Sequence, residues 1–377
     1  MREVLQRIAT GPTMSKDLSV DQARAAMRLV LEQKADPVQS ALFLIALRMK
    51  RETDDEMQGV TEAILEGVTT VPVNCEALVT LVDPYDGYIR SLPASPFVPA
   101  VLAACGVPVV THGIESIGPK HGLSVKRVLA AAGIPVNRSL ESAARVFNSP
   151  QSGSSAGWCY LDQSVIAPEL HALQKLRDQM VKRPCITTIE KGLMPLRAKG
   201  RNHFITGYVH KAYPDVYASL ARTMGFDSAS FIKGIEGGVV PTVAQVSRYF
   251  QWDANNPLAE GSPADNQDSS LAKIRIVPAD IGISQTDRAV GLPDEMLKTD
   301  KCGIPTRLSI DKLAECAAQQ GMEALSGNHS LMQHSILLGA SVALAAFNGA
   351  SVQVAAQEVR GVLENGSAFE VFKSGMV

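Results

Sequence analysis

The 377-residue chain has little of several features that mark particular classes of protein. Its six cysteines are scattered and no two have C-x-x-C spacing, which argues against a zinc site or a disulfide framework. The net charge is −2, whereas a dedicated nucleic-acid protein usually carries a strong basic excess. Residues 1–4 begin no apolar signal segment, and the apolar run at residues 41–47 is too short to span a bilayer. We therefore expect a cytoplasmic protein without a membrane partner.

The residues that are present favour a folded chain of two domains. A content of 46% hydrophobic and 20% charged residues excludes wholesale disorder. Ser19 with Gln22, and Thr53 with Glu56, have the form of capping boxes, so each pair predicts the start of a helix. The apolar stretch at residues 38–49 predicts a further helix between them. We predict an N-terminal helical domain over residues 1–72.

After residue 72, short β-rich runs alternate with helical patterns. The predicted strands are residues 77–82, 108–111, 204–209, 230–235 and 274–277. The predicted helices are residues 98–104, 125–132, 216–224, 243–250, 331–347 and 352–363. A polar segment at residues 255–270 predicts a mobile surface loop. The alternation predicts an α/β domain with a mostly parallel sheet over residues 73–377.

Seven short motifs follow one another in an order known from one family. They are Leu18-Ser19, Asp36-Pro37-Val38-Gln39, Glu52-Thr53-x-x-Glu56, Ala103-Ala104-Cys105-Gly106-Val107, His112-Gly113, Val277-Pro278-x-Asp280-x-Gly282 and Leu325-Ser326-Gly327. Together they resemble the anthranilate phosphoribosyltransferase family, glycosyl transferase family 3. The resemblance implies a small helical domain and a larger α/β domain like those of nucleoside phosphorylases and phosphoribosyltransferases. It further implies that residues 165–200 are helical and pack on the small domain.

The resemblance also implies a homodimer formed through the N-terminal helices, with the ligand in a cleft between the domains. The chain departs from the family where the family binds phosphoribosyl pyrophosphate. The glycine-rich loop is replaced by Asp83-Pro84-Tyr85-Asp86-Gly87-Tyr88, so bulky or anionic side chains stand where glycines let N–H groups approach a phosphate. The family's magnesium-binding Asp-Glu pair falls at Val239 and Val240.

With these departures, the chain resembles a divergent paralogue group of the family, which keeps the fold but lacks the phosphate-binding loop. Thr188-Ile189-Glu190-Lys191 and Gly234-Ile235-Glu236-Gly237 are similar to motifs of that group, some members of which bind nucleic acid without base preference. Ordinary anthranilate phosphoribosyltransferase activity is therefore not expected. An enzyme of this kind would be a pentosyltransferase. No cofactor is predicted, except Mg²⁺ if a phosphoribosyl substrate is used.

Positive charge is concentrated at residues 175–211, which carry nine Lys and Arg against two acidic residues. A run of this kind is ordinarily a solvated surface, but it also suits an anionic ligand. We predict that it forms one continuous exposed face that binds a phosphorylated small molecule, a nucleotide or single-stranded nucleic acid. The residues assigned to this face are Lys175, Lys182, Arg197, Lys199, Arg201 and Lys211.

Twelve further residues are candidates for the cleft, with no catalytic residue and no metal ligand assigned. They are Asp83, Tyr85, Asp86, Gly87, Ser95, His112, Gly113, Arg177, Arg183, Glu190, Lys191 and Glu236. The carboxylates among them could meet at the sheet edge or simply cap turns. The resemblance implies that Arg177 and Arg183 correspond to two arginines near the family's acceptor-substrate pocket. The alternative is that they form structural ion pairs. Glu190 with Lys191 could form a hinge salt bridge, and His112 could be a purely structural histidine.

Overall fold

The computed structural model describes residues 1–11, 13–149, 156–255 and 271–376, so the predicted loop lies outside the described residues except for Asn255. Four helices form the small domain: α1 (Arg2–Ile8), α2 (Val20–Leu31), α3 (Pro37–Lys50) and α4 (Asp54–Leu65). Both capping boxes are confirmed, because the Ser19 and Thr53 side chains accept the N–H groups of Gln22 and Glu56. Helix α3 begins at a proline, which suits the first position of a helix.

A seven-stranded sheet lies at the centre of the large domain. In spatial order it contains β4 (Trp158–Asp162), β3 (Val109–Gly113), β2 (Ala77–Val82), β6 (Arg201–Tyr208), β7 (Ser228–Lys233), β8 (Ser247–Asp253) and β9 (Ala272–Ile276). The first five strands are parallel to one another, and the last two pair antiparallel. A separate two-stranded pair joins β1 (Val71–Pro72) to β5 (Leu196–Arg197). The predicted mostly parallel sheet is confirmed.

Helices cover both faces of this sheet. They are α5 (Val98–Ala104), α6 (Val125–Ala131), α7 (Leu140–Asn148), α8 (Gln163–Ile166), α9 (Pro168–His171), α10 (Gln174–Met180), α11 (Ile186–Ile189), α12 (Tyr213–Thr223), α13 (Arg307–Leu325), α14 (Leu331–Asn348), α15 (Val352–Glu364) and α16 (Ser367–Ser374). Strand β2 illustrates why, since Val79 and Leu81 join the core on one side while Leu78 and Val82 join the core on the other. A strand with both faces buried needs helices on both sides.

Short helices α8 to α11 lie between the strands and the small domain. Helix α10 packs against α3, and α11 packs against α4. The two domains are also linked by an ion pair, because Arg28 Nη1 lies 2.9 Å from Glu169 Oε2. The middle of the chain therefore forms part of the surface on which the helical domain sits.

The structure differs from the secondary-structure predictions at one predicted helix and at several elements that were not predicted, which include helices α7, α13 and α16. Residues 243–250 do not form a helix, because strand β8 occupies residues 247–253 and alternates buried Tyr249 with exposed Arg248, the period of a strand. Strand β4 was not predicted. All five of its residues are buried, so it lacks the alternation that identifies a strand in sequence.

Within the described part of the chain, only α14 is long and apolar enough to cross a membrane by length and composition. Its apolar window is 78% buried inside the protein. Burial of that kind is typical of a core helix, and α14 packs against α13 and α15.

Candidate functional site

The carboxyl ends of the parallel strands bring the candidate residues to one edge of the sheet. Asp83 follows β2 directly, Gly113 ends β3, and Asp162 ends β4. Because loops at this edge connect to helices, it is the usual place for a ligand in an α/β protein. The edge is described below as the cleft, and it comprises residues 83–91, 112–120, 177–191 and 234–240.

Asp83 is buried in the cleft, 3% exposed. Its Oδ2 accepts a 2.9 Å hydrogen bond from the Tyr88 hydroxyl and a short one from Ser95. Its Oδ1 accepts the N–H of Val239 at 2.9 Å. Burial raises the pKa of Asp83, although these three donors oppose the shift. Asp83 therefore holds the β2 loop to the segment after β7, with both of its oxygens engaged.

Tyr85 and His112 form a second buried contact. The Tyr85 hydroxyl lies 2.5 Å from His112 Nδ1, and His112 Nε2 lies 2.9 Å from the Leu193 carbonyl. Since a carbonyl only accepts, Nε2 carries the proton and Nδ1 accepts from the tyrosine. Burial lowers the pKa of His112 to about 4, so the ring is neutral at pH 7. Both ring nitrogens are engaged, which matches the structural alternative for this histidine.

Arg177 and Glu190 form a bidentate ion pair with N···O distances of 2.6 and 2.8 Å. Gln163 Nε2 donates to the same carboxylate at 3.0 Å. Although burial opposes it, Glu190 raises the pKa of Arg177 above its ordinary value. Three buried atoms around this pair, Arg177 Nε, Gln163 Oε1 and Tyr160 Oη, have no hydrogen-bond partner among the described residues. The pair is thus the structural ion pair anticipated as the alternative for Arg177.

Lys191 does not pair with its neighbour Glu190, so the predicted hinge salt bridge is wrong. Its Nζ donates to the Gly207 carbonyl at 2.9 Å and lies 4.4 Å from the centre of the Tyr217 ring. Burial lowers the pKa of Lys191 to about 7, against the opposing charges of nearby carboxylates. The lysine therefore packs into the core between β6 and α12 instead of facing solvent.

Asp86 and Arg183 meet at the rim of the cleft. Arg183 Nε donates to Asp86 Oδ2 at 2.9 Å, and the same oxygen also accepts from the Arg183 Nη2 group. Lys120 Nζ lies 3.6 Å from Asp86 Oδ1 and donates to the Gly87 carbonyl at 2.8 Å. Arg183 is 45% exposed at its side chain, whereas Asp86 is 4% exposed. The rim is therefore a place where two cations flank a single buried carboxylate.

Glu236 points into a cluster of donors on the opposite loop. Its Oε2 accepts the Ile89 N–H at 3.1 Å, and its Oε1 accepts the Arg90 N–H at 2.9 Å and the Ser91 hydroxyl at 3.1 Å. Lys120 Nζ lies 3.7 Å from Oε2. Two successive N–H groups, a hydroxyl and an ammonium are the components of an anion site. Here a carboxylate of the chain itself occupies that site, which we name the donor nest.

The loop at residues 83–88 offers no open cradle for a pyrophosphate. The N–H of Gly87 donates to the Pro84 carbonyl, and the N–H of Tyr88 donates to the Leu123 carbonyl. A Cβ atom added at Gly238 would overlap the Tyr88 hydroxyl, so the tyrosine fills the space beside this glycine. Gly87 has φ +71° and packs on Gly122 and Leu123, which explains a glycine at this turn. Gly113 and Ser95 are buried at the same edge.

Of the two alternatives for the carboxylates, the shared cluster does not form, and Asp83 and Glu236 instead accept backbone N–H groups. Asp83 accepts from Ser95, Tyr88 and Val239, whereas Asp86 and Glu236 meet only through Lys120. Among the described residues, no group of three or more His, Cys, Asp or Glu side chains is arranged to hold a metal ion. The positions that match the family's magnesium carboxylates are valines, so the residues present do not fit that ion and no step is derived through it.

The prediction of one continuous basic face is wrong. Arg177 and Lys191 are buried, and Arg201 is half-buried, with Nη1 donating to the Phe347 carbonyl at 2.8 Å. Arg197 and Lys199 precede the amino end of β6, whereas Lys211 follows its carboxyl end, roughly 23 Å away for eight residues. A strand therefore divides the run into two groups, and the exposed cations of the run within the cleft segments are Lys182 and Arg183.

Sequence reasoning missed four contributors to the cleft: Lys120, Gln163, Tyr88 and the donors of residues 89–91. Lys120 lies in a loop far from the basic run, and nothing in its neighbours marks it as a rim residue. Two donors of the nest, the N–H groups of Ile89 and Arg90, are main-chain atoms and carry no side-chain signal. Tyr88 could have been identified, because it belongs to the same altered loop as Tyr85.

Comparisons with known proteins agree with this architecture. Residues 2–67 match the helical bundle domain of the glycosyl transferase family. An anthranilate phosphoribosyltransferase of Rhodococcus jostii is 26% identical over 343 residues, which cover 89% of this chain and 81% of that protein. The chain is thus similar to anthranilate phosphoribosyltransferases along most of its length, and its helical domain matches that of the glycosyl transferase family. An uncharacterized protein of Aquifex aeolicus is 30% identical over 226 residues, 60% of this chain and 65% of that protein.

Solved structures of the family share the fold along the whole chain. The anthranilate phosphoribosyltransferase of Thermus thermophilus aligns with a TM-score of 0.68 at 18% identity, covering 100% of this chain and 98% of that one. The Saccharomyces cerevisiae protein in complex with phosphoribosyl pyrophosphate and Mg aligns with a TM-score of 0.72 at 13% identity, covering 100% and 96%. At these identities the likeness establishes the fold alone, and the chemistry must be derived from the residues of this chain's own cleft.

Proposed function

We propose that this protein binds a phosphorylated small molecule or nucleotide at the cleft rim and does not transfer a phosphoribosyl group to anthranilate. The observation that carries the proposal is the convergence of cationic and N–H donors at the rim. Lys120 Nζ lies within 4 Å of both Asp86 and Glu236, and the partly exposed Arg183 stands beside Asp86. Such donors recognise phosphate oxygens through charge-assisted hydrogen bonds.

The proposal is one of binding because no described cleft residue has the position of a catalyst. His112 has both ring nitrogens engaged, and Asp83 has both oxygens engaged. If catalysis occurs, its class by family chemistry is pentosyl transfer, in which a protein mainly positions the substrate and stabilises charge. The loss of the glycine-rich loop and of the magnesium carboxylates argues against phosphoribosyl pyrophosphate as the donor.

Calorimetric titration with ribose 5-phosphate tests the binding function. The double variant Lys120→Gln Arg183→Gln should bind it at least about tenfold more weakly than the natural protein, since two charged donors are removed. Lys273→Gln is the matched control, because Lys273 is exposed on β9, four strands away from β2 in the sheet. Equal binding by the double variant and the control would contradict the proposal, as would the absence of binding to the natural protein.

A second candidate is sequence-independent binding of single-stranded nucleic acid. It is favoured by exposed cations, since Lys182 in the cleft and Lys175 on helix α10 form no ion pair with a carboxylate in the described part of the chain. The aromatic residues of the basic run do not favour base stacking, because Phe204 and Tyr208 are buried. Affinity would then come from phosphate contacts and the release of counterions.

The salt dependence of single-stranded DNA binding tests this candidate. Lys175→Gln Lys182→Gln should reduce the slope of log affinity against log salt by about 1.4, at about 0.7 per lost phosphate contact. Arg197→Gln Lys199→Gln, at the opposite edge of the sheet, is the control and should leave the slope unchanged. An equal loss in both variants, or a strong preference for one sequence, would contradict a phosphate-reading cleft rim.

The partner proposal is a cytoplasmic homodimer formed through α3. Val38, Leu42 and Met49 are 75, 44 and 79% exposed, and their spacing of four and seven residues puts them on one face of the helix. A second copy of the same stripe would cover this apolar surface.

A further inference from the structure

The donor nest has an occupant that is part of the chain. Glu236 accepts from Ile89 N–H, Arg90 N–H and the Ser91 hydroxyl, so one carboxylate satisfies three donors. The contact spans about 146 residues of sequence and joins the loop after β2 to the loop after β7. Since the two loops carry opposite walls of the cleft, the carboxylate closes the cleft at this point.

The backbone of Glu236 is strained. Its φ of +51° lies in the left-handed region, which is unfavourable for a residue with a Cβ. The neighbouring Gly234, Gly237 and Gly238 form a tight turn with little room for side chains. The contacts with the donor nest offset the backbone strain, so losing those contacts would favour a different arrangement of the loop.

We infer that Glu236 is an internal stand-in for a phosphate, which closes the donor nest until a phosphoryl group of the ligand displaces it. A phosphoryl group presents three acceptor oxygens to the same donors, namely the N–H groups of Ile89 and Arg90 and the hydroxyl of Ser91. Lys120, 3.7 Å from the carboxylate, would then contact the phosphoryl oxygens. This inference rests on the proposed binding function and adds a built-in competitor to it.

Self-competition has a measurable consequence. A site that is open for only part of the time binds its ligand more weakly by that fraction. Removing the carboxylate should therefore strengthen phosphate binding, whereas removal of an ordinary binding residue weakens it. An increase in phosphate affinity therefore distinguishes an internal competitor from a residue that holds the ligand or merely stabilises the loop.

Two variants test the inference by titration with inorganic phosphate and, separately, with ribose 5-phosphate. Glu236→Gln keeps the side-chain size, and Glu236→Gly suits the left-handed backbone. Both should bind each ligand at least about tenfold more tightly than the natural protein. Glu370→Ala is the control, because it removes one negative charge at a side chain 70% exposed on α16. If only ribose 5-phosphate binds more tightly, the donor nest accepts phosphate esters. If both ligands bind more tightly, the donor nest accepts any phosphoryl anion.

Adding Ser91→Ala to Glu236→Gly should remove part of the gain, because the hydroxyl is one of the donors. Unfolding midpoints in urea show that each variant is folded before titration. If neither inorganic phosphate nor ribose 5-phosphate binds more tightly to the two Glu236 variants than to Glu370→Ala, the inference is overturned. In that event the proposed function still stands if ribose 5-phosphate binding depends on Lys120 and Arg183, and it falls only if that dependence is also absent.

Discussion

The Tyr88 hydroxyl donates a 2.9 Å hydrogen bond to Asp83 Oδ2, and this contact holds the tyrosine across the carboxyl end of β2. Gly238 lies against the same hydroxyl, so closely that a Cβ would overlap it. Both residues of the hydrogen bond belong to the loop in which the family carries its glycines. The space that a pyrophosphate would need is therefore filled by side chains of the protein.

Gly238→Ala should lower the free energy of unfolding by about 1–3 kcal/mol, because the new methyl group overpacks against Tyr88. Urea denaturation measures the change. Gly291→Ala is the control, since a Cβ there would meet nothing within 4 Å. Combining Gly238→Ala with Tyr88→Phe should recover part of the loss by removing the hydroxyl. Equal stability of the two alanine variants would contradict the close packing of this loop.

Arg177→Met should cost about 3–5 kcal/mol of unfolding free energy, because it leaves Glu190 as a buried carboxylate without its cation. The control is Arg24→Met, whose ion pair with Glu66 is largely exposed and should change stability by about 1 kcal/mol or less. Replacing both partners, Arg177→Met with Glu190→Leu, should cost less than Arg177→Met alone. An equal loss of unfolding free energy in Arg177→Met and Arg24→Met would contradict the assignment of Arg177 and Glu190 as a buried structural ion pair.

Stability should fall as the pH falls through the acid range. Burial lowers the pKa of His203 to about 3 and that of His112 to about 4, whereas both are near 6.5 in an unfolded chain. Between these values the unfolded chain binds more protons, so stability is fully present above pH 6.5 and lost below it. Each histidine contributes up to about 1.4 kcal/mol per pH unit.

His203→Asn should flatten the dependence of unfolding free energy on pH between 6 and 4.5. His203 lies between Ser228 and Ser230, with contacts of 2.7 and 3.1 Å, and asparagine can keep one of them. His210→Asn, at an exposed histidine, is the control and should keep the natural slope. An unchanged slope in His203→Asn would show that this histidine is not held neutral by burial.

Leu42→Lys with Met49→Lys should convert a dimer into a monomer at micromolar concentration, because two charges would be buried in the proposed α3 interface. Sedimentation velocity measures the change. Leu308→Lys is the control, since Leu308 is 68% exposed on α13. A monomeric natural protein, or a double variant that remains dimeric, would contradict association through α3.

The sequence predicted most elements whose signal is local. The capping boxes at Ser19 and Thr53 and the buried strand at Ala77–Val82 depend on neighbouring residues, and the structure has them where the patterns predicted. Strand β8 was misread because a short apolar run with aromatic residues fits a helix and a strand alike. Local patterns thus locate an element more reliably than they distinguish a helix from a strand.

The cleft could be predicted only in part, because its contacts join distant residues. Asp83, Tyr85 and Asp86 were identified from the altered loop, but their partners Val239, His112 and Arg183 had to be found in the fold. Charge counting failed for Arg177 and Lys191, since a buried cation and an exposed one are identical in sequence. The two N–H groups of the donor nest were invisible for a simpler reason, because backbone N–H groups are the same for every residue except proline.

The most direct test of the account is the synthesis of phosphoribosylanthranilate by the purified protein from anthranilate, phosphoribosyl pyrophosphate and Mg²⁺. The product is followed by fluorescence, with a bacterial anthranilate phosphoribosyltransferase as the positive control. A cleft filled by Tyr85 and Tyr88, with valines at the magnesium positions, predicts no product above the reaction without protein. Turnover that requires this protein and Mg²⁺ would contradict the closed cleft and restore the family's ordinary activity.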